Sequence, residues 1–397
     1  MTTSLNSSAL SSGSRPPLVT RALLLRFVSM IGASASFYLL LPVVPHYADA
    51  SSGGGAAGLA TGALMLATVA GELAAPRLIA RFGYRIALAT GLVLLGAPAL
   101  VLIAATGTGL IVAVCLLRGL GFAFTVVAGG ALTASLIPAG RRGEGLALVG
   151  IVSGVPSLVG LPLGMWLAAH VGNGPVFTAA AVAALAAIPS VPGLPDRERT
   201  CGRSAGVVAG FRSPALLRPA VVFAATALAA GIIVTFLPLA VPRSSTALVA
   251  AALFVQPAAA TVARWLAGRH GDRHGPAGLV LPGLLVSAAG TLLTALTGSP
   301  VAVVAGVALF GLGFGVSQNA TLTLMYARVP AAEYGIVSAL WNFAYDAGMG
   351  VGALAFGAAA GRTGYPAAFA LTAVLMLTAL APARRDRAAA SSPGSPG

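Results

Sequence analysis

Long runs of apolar residues, separated by short polar connections, make up most of this 397-residue chain. The runs are continuously apolar rather than alternating, and each is long enough for the roughly 20 helical residues that cross a bilayer. They predict helices, because a helix satisfies its own backbone hydrogen bonds in hydrocarbon. We expect an all-α integral membrane protein with twelve spans at residues 22–44, 56–78, 84–106, 109–134, 146–170, 174–192, 218–241, 245–267, 277–298, 300–325, 336–360 and 365–383.

The chain also repeats itself at an offset of 192 residues. The string GLGF at 119–122 recurs at 311–314, and the same offset relates five further Arg, Gly and Pro positions. The repeat predicts two homologous six-helix halves, 20–193 and 218–383, joined by a polar loop at 194–217. The Ser-rich segment 1–19 and the Pro- and Gly-containing segment 384–397 are expected to be disordered tails.

Charge is scarce and unevenly distributed. Only 8% of residues are charged, yet the formal net charge is +14, and all 23 basic residues are arginine. With a cytoplasmic N-terminus, twenty arginines fall on or near the cytoplasmic side and only Arg243 and Arg362 fall outside. This asymmetry indicates a topology with both termini in the cytoplasm. The basic residues are therefore explained without a nucleic-acid partner.

The loop after the eighth span carries a recognisable motif. Residues 268–275 read GRHGDRHG, and the first-half copy has the same spacing but Pro76 and Ala80 in place of Gly and Asp. With the repeat, this motif resembles the major facilitator superfamily and its bacterial drug and metabolite exporters. The resemblance implies a monomeric secondary transporter of the bacterial cytoplasmic membrane. Its gating-loop residues would be Arg81, Gly83, Arg85, Gly268, Asp272, Arg273 and Gly275.

Two charged residues, Arg118 and Asp346, lie near the middle of apolar spans. A charge at that depth is costly and commonly faces a protein interior or a solute pathway. We expect both to serve proton coupling, and to approach each other across the cavity as it closes, because they belong to opposite halves at similar depth. Glu72 is the next candidate for the coupling site. The alternative is that each charge belongs to a buried structural pair.

Other polar residues in the spans are candidates for the substrate cavity. In the family that the chain resembles, spans one, four, seven and ten line the cavity. The candidates are Tyr38, Thr235, Phe236, Gln256, Gln318, Asn319, Trp341, Asn342 and Tyr345. The alternative is that these groups join helices to one another. Glu144 and Arg264 are expected to pair between the halves, unless both side chains simply reach water.

These features favour a transporter over an enzyme. No P-loop is present, the histidines and cysteines are scattered, and the turn motif explains His270 and His274 without a metal site. We expect no cofactor. The predicted function is proton-coupled efflux of a small, mostly apolar molecule by alternating access. The alternatives are a proton-coupled importer or facilitator of a small metabolite and, from another class, a membrane receptor or enzyme without transport.

Overall fold

The computed structural model describes residues 19–53, 55–104, 107–137, 142–196, 210–242, 245–330 and 333–391, without the side chains of 142–147 and 387–391. The α-helices are α1 Arg21–Leu40, α2 Val43–Ser52, α3 Ala56–Val101, α4 Thr108–Leu136, α5 Arg142–Val171, α6 Asn173–Leu185, α7 Pro214–Ala240, α8 Thr246–His274, α9 Ala277–Thr294, α10 Pro300–Tyr326, α11 Tyr334–Thr363, α12 Tyr365–Met376 and α13 Leu380–Ser391. Short 3₁₀ turns at Ile188–Ser190 and Leu377–Ala379 follow α6 and α12.

Eleven helical segments among the described residues are long and apolar enough to span a membrane. One of them, α3, has 46 residues. At 1.5 Å per residue it is about twice as long as a bilayer core of roughly 30 Å. Gly83, with φ 85° and ψ 172°, interrupts this helix. Because the chain turns at Gly83, α3 supplies both the second and the third span. The all-α fold with twelve spans is therefore confirmed.

The end of the chain differs from the sequence-based prediction. Residues 384–391, predicted to be disordered, continue the helix α13. The Asp386 side chain is fully buried and accepts a hydrogen bond from Arg328 Nη2 at 3.1 Å. Arg328 also donates to the carbonyl of Ala215 at the start of α7. This anchor explains why a segment of low hydrophobicity is ordered against the second half.

The sequence repeat has a direct counterpart in helix packing. A Cβ on Gly119 would collide with the carbonyl of Leu64, and a Cβ on Gly311 would collide with the carbonyl of Gln256. All four positions obey the same offset of 192. Glycine at these positions lets α4 approach α3, and α10 approach α8, to backbone contact. Equivalent helices in the two halves therefore cross at equivalent residues.

The two halves meet along a seam of small residues between α3 and α11. A Cβ on Gly58 would lie 2.6 Å from the carbonyl of Ala353, and a Cβ on Gly350 would lie 2.8 Å from Cβ of Met65. Thr61 of α3 and Thr235 of α7 add a hydrogen bond of 2.9 Å between the halves. These contacts lie in the part of α3 remote from Gly83. They hold the halves together at the end of the molecule opposite the motif loops.

Candidate functional site

Two acidic side chains, one from each half, meet between α3 and α11. Asp346 is 5% exposed, and Glu72 is partly buried. Their carboxyl groups lie within hydrogen-bonding reach of each other. Because an ionised carboxylate only accepts hydrogen bonds, a hydrogen bond between them needs a proton on one of the two groups. The pair can therefore hold one proton at the interface between the halves.

Glycines close to Asp346 bring α11 near its neighbours. A Cβ on Gly348 would lie 2.6 Å from the carbonyl of Ala224 on α7, whereas Gly350 faces Met65 on α3. Small residues of this kind let membrane helices pack at short distance. The Gly-rich stretch of α11 thus fits between a helix of its own half and one of the other half. This close packing of α11 places the Asp346 side chain beside that of Glu72.

Two tyrosines lie near Asp346. Tyr38 of α1 and Tyr345 of α11 are each close enough to Asp346 and to Arg264 of α8 to interact electrostatically with both. The phenol groups therefore have an acid and a cation among their neighbours. Both halves contribute to this arrangement, so its geometry depends on how the halves are placed relative to each other.

A cavity of about 110 Å³ lies beside this cluster. Four of the predicted cavity residues line it: Tyr38, Gln256, Gln318 and Tyr345. Arg264, predicted only as part of an interdomain pair, lines it as well. Residues of α1 and α5 form one wall, and residues of α7, α8, α10 and α11 form the rest. The cavity therefore lies between the halves.

Two predicted cavity residues on α7 instead belong to the contact between helices. Thr235 is fully buried and hydrogen-bonds Thr61. Phe236 is 2% exposed, and its ring lies 4.7 Å from that of Phe356 on α11. Sequence placed both on a cavity-lining span but could not tell which face of α7 meets the other helices.

Three other predicted cavity residues lie near the cavity without lining it. Trp341 stacks on Phe223 at 4.2 Å and donates its indole N–H to Thr321 Oγ1 at 3.2 Å. Asn319 faces α8, where a Cβ on Gly268 would lie 3.4 Å from its amide nitrogen. Asn342 is partly buried on α11. Trp341 and Asn319 therefore contact neighbouring helices and do not face the cavity.

Arg118 does not meet Asp346 in this conformation. It is 3% exposed and donates to the carbonyls of Leu95 at 2.6 Å and Ser36 at 3.0 Å. Both acceptors belong to the first half. The approach to Asp346 predicted from equal depth is absent from the contacts of the described residues. In this conformation Arg118 links α4 to α1 and to the second part of α3.

Of the predicted Glu144–Arg264 pair, the structure describes only the Arg264 side chain. The side chain of Glu144 lies outside the described residues. Arg264 is accessible to solvent and faces the cavity. Its electrostatic neighbours Tyr38 and Tyr345 lie on the cavity side.

The first-half motif loop obtains a carboxylate from elsewhere in the chain. Gly83 turns the chain, and the next residues contact Asp196, which follows α6. The backbone N–H of Tyr84 donates to the Asp196 carbonyl at 3.2 Å, and that of Arg85 donates to Asp196 Oδ1 at 3.3 Å. Arg85 Nε also donates to the Leu194 carbonyl at 2.6 Å. Asp196 thus supplies an acid at the start of the third span, within the loop where Ala80 replaces the motif Asp.

The second-half loop keeps its own acid. Asp272 and Arg273 lie exposed in the last turn of α8, and Gly275, with φ 81°, ends that helix. In the first-half loop, Arg81 lies 5.1 Å from the ring of Phe82. The contact of Asp272 with a neighbouring helix start stays a prediction. Across the described residues, no group of three or more His, Cys, Asp and Glu side chains is placed to hold a metal ion.

Sequence reasoning missed two features of this region. Glu72 was named only as the next candidate for the coupling site, and its contact with Asp346 was not foreseen. The signal was available, because spans two and eleven meet in the family that the chain resembles. Asp196 was not singled out at all. Its only local signal is an acid directly after the last residues of span six, next to a loop that lacks its usual acid.

Comparison with known proteins agrees with this architecture. A bacterial homologue of the human lysosomal transporter Spinster, solved inward-facing and unoccupied, superposes with a TM-score of 0.78 at 14% identity, covering 97% of this chain and 100% of that one. The nucleoside transporter NupG superposes with a TM-score of 0.73 at 14% identity, covering 94% and 100%. A point mutant of NupG gives 0.71 at 15%, covering 93% and 99%. At these identities the likeness concerns the fold.

No curated protein sequence matches this chain significantly. The family model of the Major Facilitator Superfamily matches residues 26–353 and 220–396. These matches together cover most of the chain, and the structural neighbours are transporters rather than enzymes. The chain is a multi-pass membrane transporter that belongs to the Major Facilitator Superfamily.

Proposed function

We propose that this chain is a proton-coupled secondary transporter that works by alternating access in the bacterial cytoplasmic membrane, as a monomer with both termini in the cytoplasm. The proposed topology follows from the arginine asymmetry. The observation that carries the coupling is the close approach of the Glu72 and Asp346 carboxyl groups, because one acid lies on each half. Any change in the relative placement of the halves alters the environment of the shared proton.

The groups around the pair support this role. Tyr38 of α1 and Tyr345 of α11 lie near Asp346, and Arg264 of α8 lies near both tyrosines. When the halves move apart at the seam, the acids separate, and each carboxyl group must find a new partner or exchange its proton with water. Proton binding and conformational change are then linked, which is what coupled transport requires.

The charge of the cavity bears on the direction of coupling. Arg118, which was expected to serve proton coupling, donates in this conformation to backbone carbonyls of its own half. Arg264 in the cavity favours the alternative, in which the substrate travels with the proton. A negatively charged substrate near the acid pair stabilises the bound proton, whereas a positively charged one displaces it. We therefore favour proton-coupled uptake.

Proteoliposomes loaded with an alkaline interior test this proposal. Small organic solutes are supplied outside, and accumulation is measured with and without the pH gradient. Uptake of at least one solute should rise with the gradient and collapse when a protonophore removes it. If accumulation of every solute is the same with and without the pH gradient, proton coupling is contradicted. Accumulation only with an acidic interior would instead identify proton exchange.

A further inference from the structure

The cavity between the halves is small. Its volume of about 110 Å³ is several times the roughly 10–15 Å³ that a cavity needs to hold one water. A compact molecule fits such a space more readily than a bulky drug. Size therefore separates small metabolite-like solutes from large amphiphiles.

The wall of the cavity carries one sign of formal charge. Among the described residues that line it, Arg264 alone is formally charged at neutral pH. Its guanidinium offers several N–H donors in one plane, an arrangement that matches a carboxylate. Asp346 and Glu72 lie outside the lining and share a hydrogen bond, so part of their accepting capacity is already used.

The rest of the wall is aromatic and apolar, with two amides and two hydroxyl groups, those of Ser157 and Thr261, which donate to carbonyls of their own helices. Phe314 and Tyr345 line one side with ring centroids 6.3 Å apart, and Tyr38 faces them from the other half. Such rings favour a flat apolar body. Gln256 and Gln318 lie on adjacent helices, and Gln318 Oε1 is buried without a partner. A buried acceptor without a donor is costly, so a small polar group beside it would be stabilising.

We propose that the substrate is a small organic anion with a flat, largely aromatic body, bound with its acid group on Arg264 and its body between Tyr38, Phe314 and Tyr345. This assignment rests on the proposed transport function and adds the chemical class of the solute. The combination of one cation, three aromatic rings and two amides disfavours polyols, which need many hydrogen-bonding partners, and disfavours cations, which Arg264 repels.

Three probes of nearly equal shape test the assignment: benzoate, benzamide and benzamidine carry a negative, zero and positive charge. Binding is measured on the purified chain in nanodiscs by calorimetry and by the shift of the thermal unfolding midpoint. We expect benzoate to bind in the millimolar range or better and to bind most tightly of the three. Arg264→Gln should weaken benzoate by roughly ten- to a hundredfold, since a hydrogen bond to a charged group is lost, and leave benzamide nearly unchanged.

Two further variants make the result specific. Arg264→Lys keeps the charge but loses the planar donor pair, and should retain part of the preference for benzoate. Arg362→Gln removes the same charge from the exposed last turn of α11 and should behave as the unaltered chain. Preference for benzamidine, equal binding of all three probes, no binding of benzoate in the millimolar range, or an equal effect of Arg264→Gln and Arg362→Gln would overturn the assignment.

Failure here is distinguishable from failure of the transport proposal. The probe series reports binding at Arg264 and needs no proton gradient. Benzoate preference without gradient-driven uptake of any solute would keep the binding site and overturn the coupling. Gradient-driven uptake of cations alone would keep the coupling and overturn the substrate class.

Discussion

Arg118 and the Glu72–Asp346 pair are both charged groups buried among apolar helices, but they are held in different ways. Arg118 donates to the carbonyls of Leu95 and Ser36, which belong to its own half. Glu72 and Asp346 bind each other across the two halves. A group held within one rigid half keeps its partners during alternating access, whereas a contact between halves breaks and re-forms. Burial alone therefore does not identify a coupling residue, and the location of its partner does.

The largest effect is expected from Asp346→Asn. The amide keeps the shape and a hydrogen bond to Glu72 but cannot release a proton. Gradient-driven accumulation in proteoliposomes should fall to the level seen without a gradient, while exchange of labelled for unlabelled solute continues. Retained gradient-driven accumulation at the original rate, with the same pH dependence, would show that Asp346 is structural. Glu72→Gln should weaken coupling less, because Asp346 remains able to bind a proton.

A different outcome is expected at Arg118. Arg118→Ala leaves a hole between α1, α3 and α4 and should lower the free energy of unfolding by about 2–4 kcal/mol, as other large-to-small core changes do. Arg118→Met refills the space and should recover most of the loss. Thermal unfolding midpoints measure both. The pH dependence of transport should stay unchanged in Arg118→Met. A shifted pH optimum in this variant would show that Arg118 takes part in proton coupling.

The smallest effect is expected at the first-half motif loop. Asp196→Ala removes a carboxylate that accepts the backbone N–H of Arg85 and should cost about 0.5–2 kcal/mol, the range of a lost helix cap. Hydrogen exchange should accelerate at Arg85 more than at Tyr84, because the Tyr84 N–H donates to the backbone carbonyl of residue 196, which the substitution keeps. Ala80→Asp in the same background, which restores the motif acid, should slow exchange again. If exchange at these amides is the same in Asp196→Ala and the unaltered chain, the contact has no stabilising role.

The chain's fold was predictable because its signals are local and repeated. Each apolar run reports one span, and the paired GLGF strings place Gly119 and Gly311 in equivalent crossings. The prediction of disorder for residues 384–391 differs from the structure for a nonlocal reason, because Asp386 accepts a hydrogen bond from Arg328, 58 residues earlier.

Partners within the site were harder to foresee. Arg118 was matched to an acid at similar depth, although its acceptors are backbone carbonyls, which every residue has. Depth in the membrane ranks residues along one axis only. The approach of Glu72 to Asp346 depends on the lateral position of α3 against α11, which the seam at Gly58 and Gly350 sets.

Infrared difference spectroscopy of the purified chain in nanodiscs tests the central claim most directly, because it detects a protonated carboxyl group without any substrate. A proton shared by Glu72 and Asp346 predicts a carboxylic-acid C=O band at neutral pH that is lost when the pH is raised. The band should be absent or displaced in both Asp346→Asn and Glu72→Gln. It should be unchanged in Arg118→Met. Asp386→Asn, which removes a further buried acid, serves to subtract its contribution. A band that persists unaltered in both acid variants, or no protonated carboxyl group at neutral pH, would contradict a shared proton between the halves.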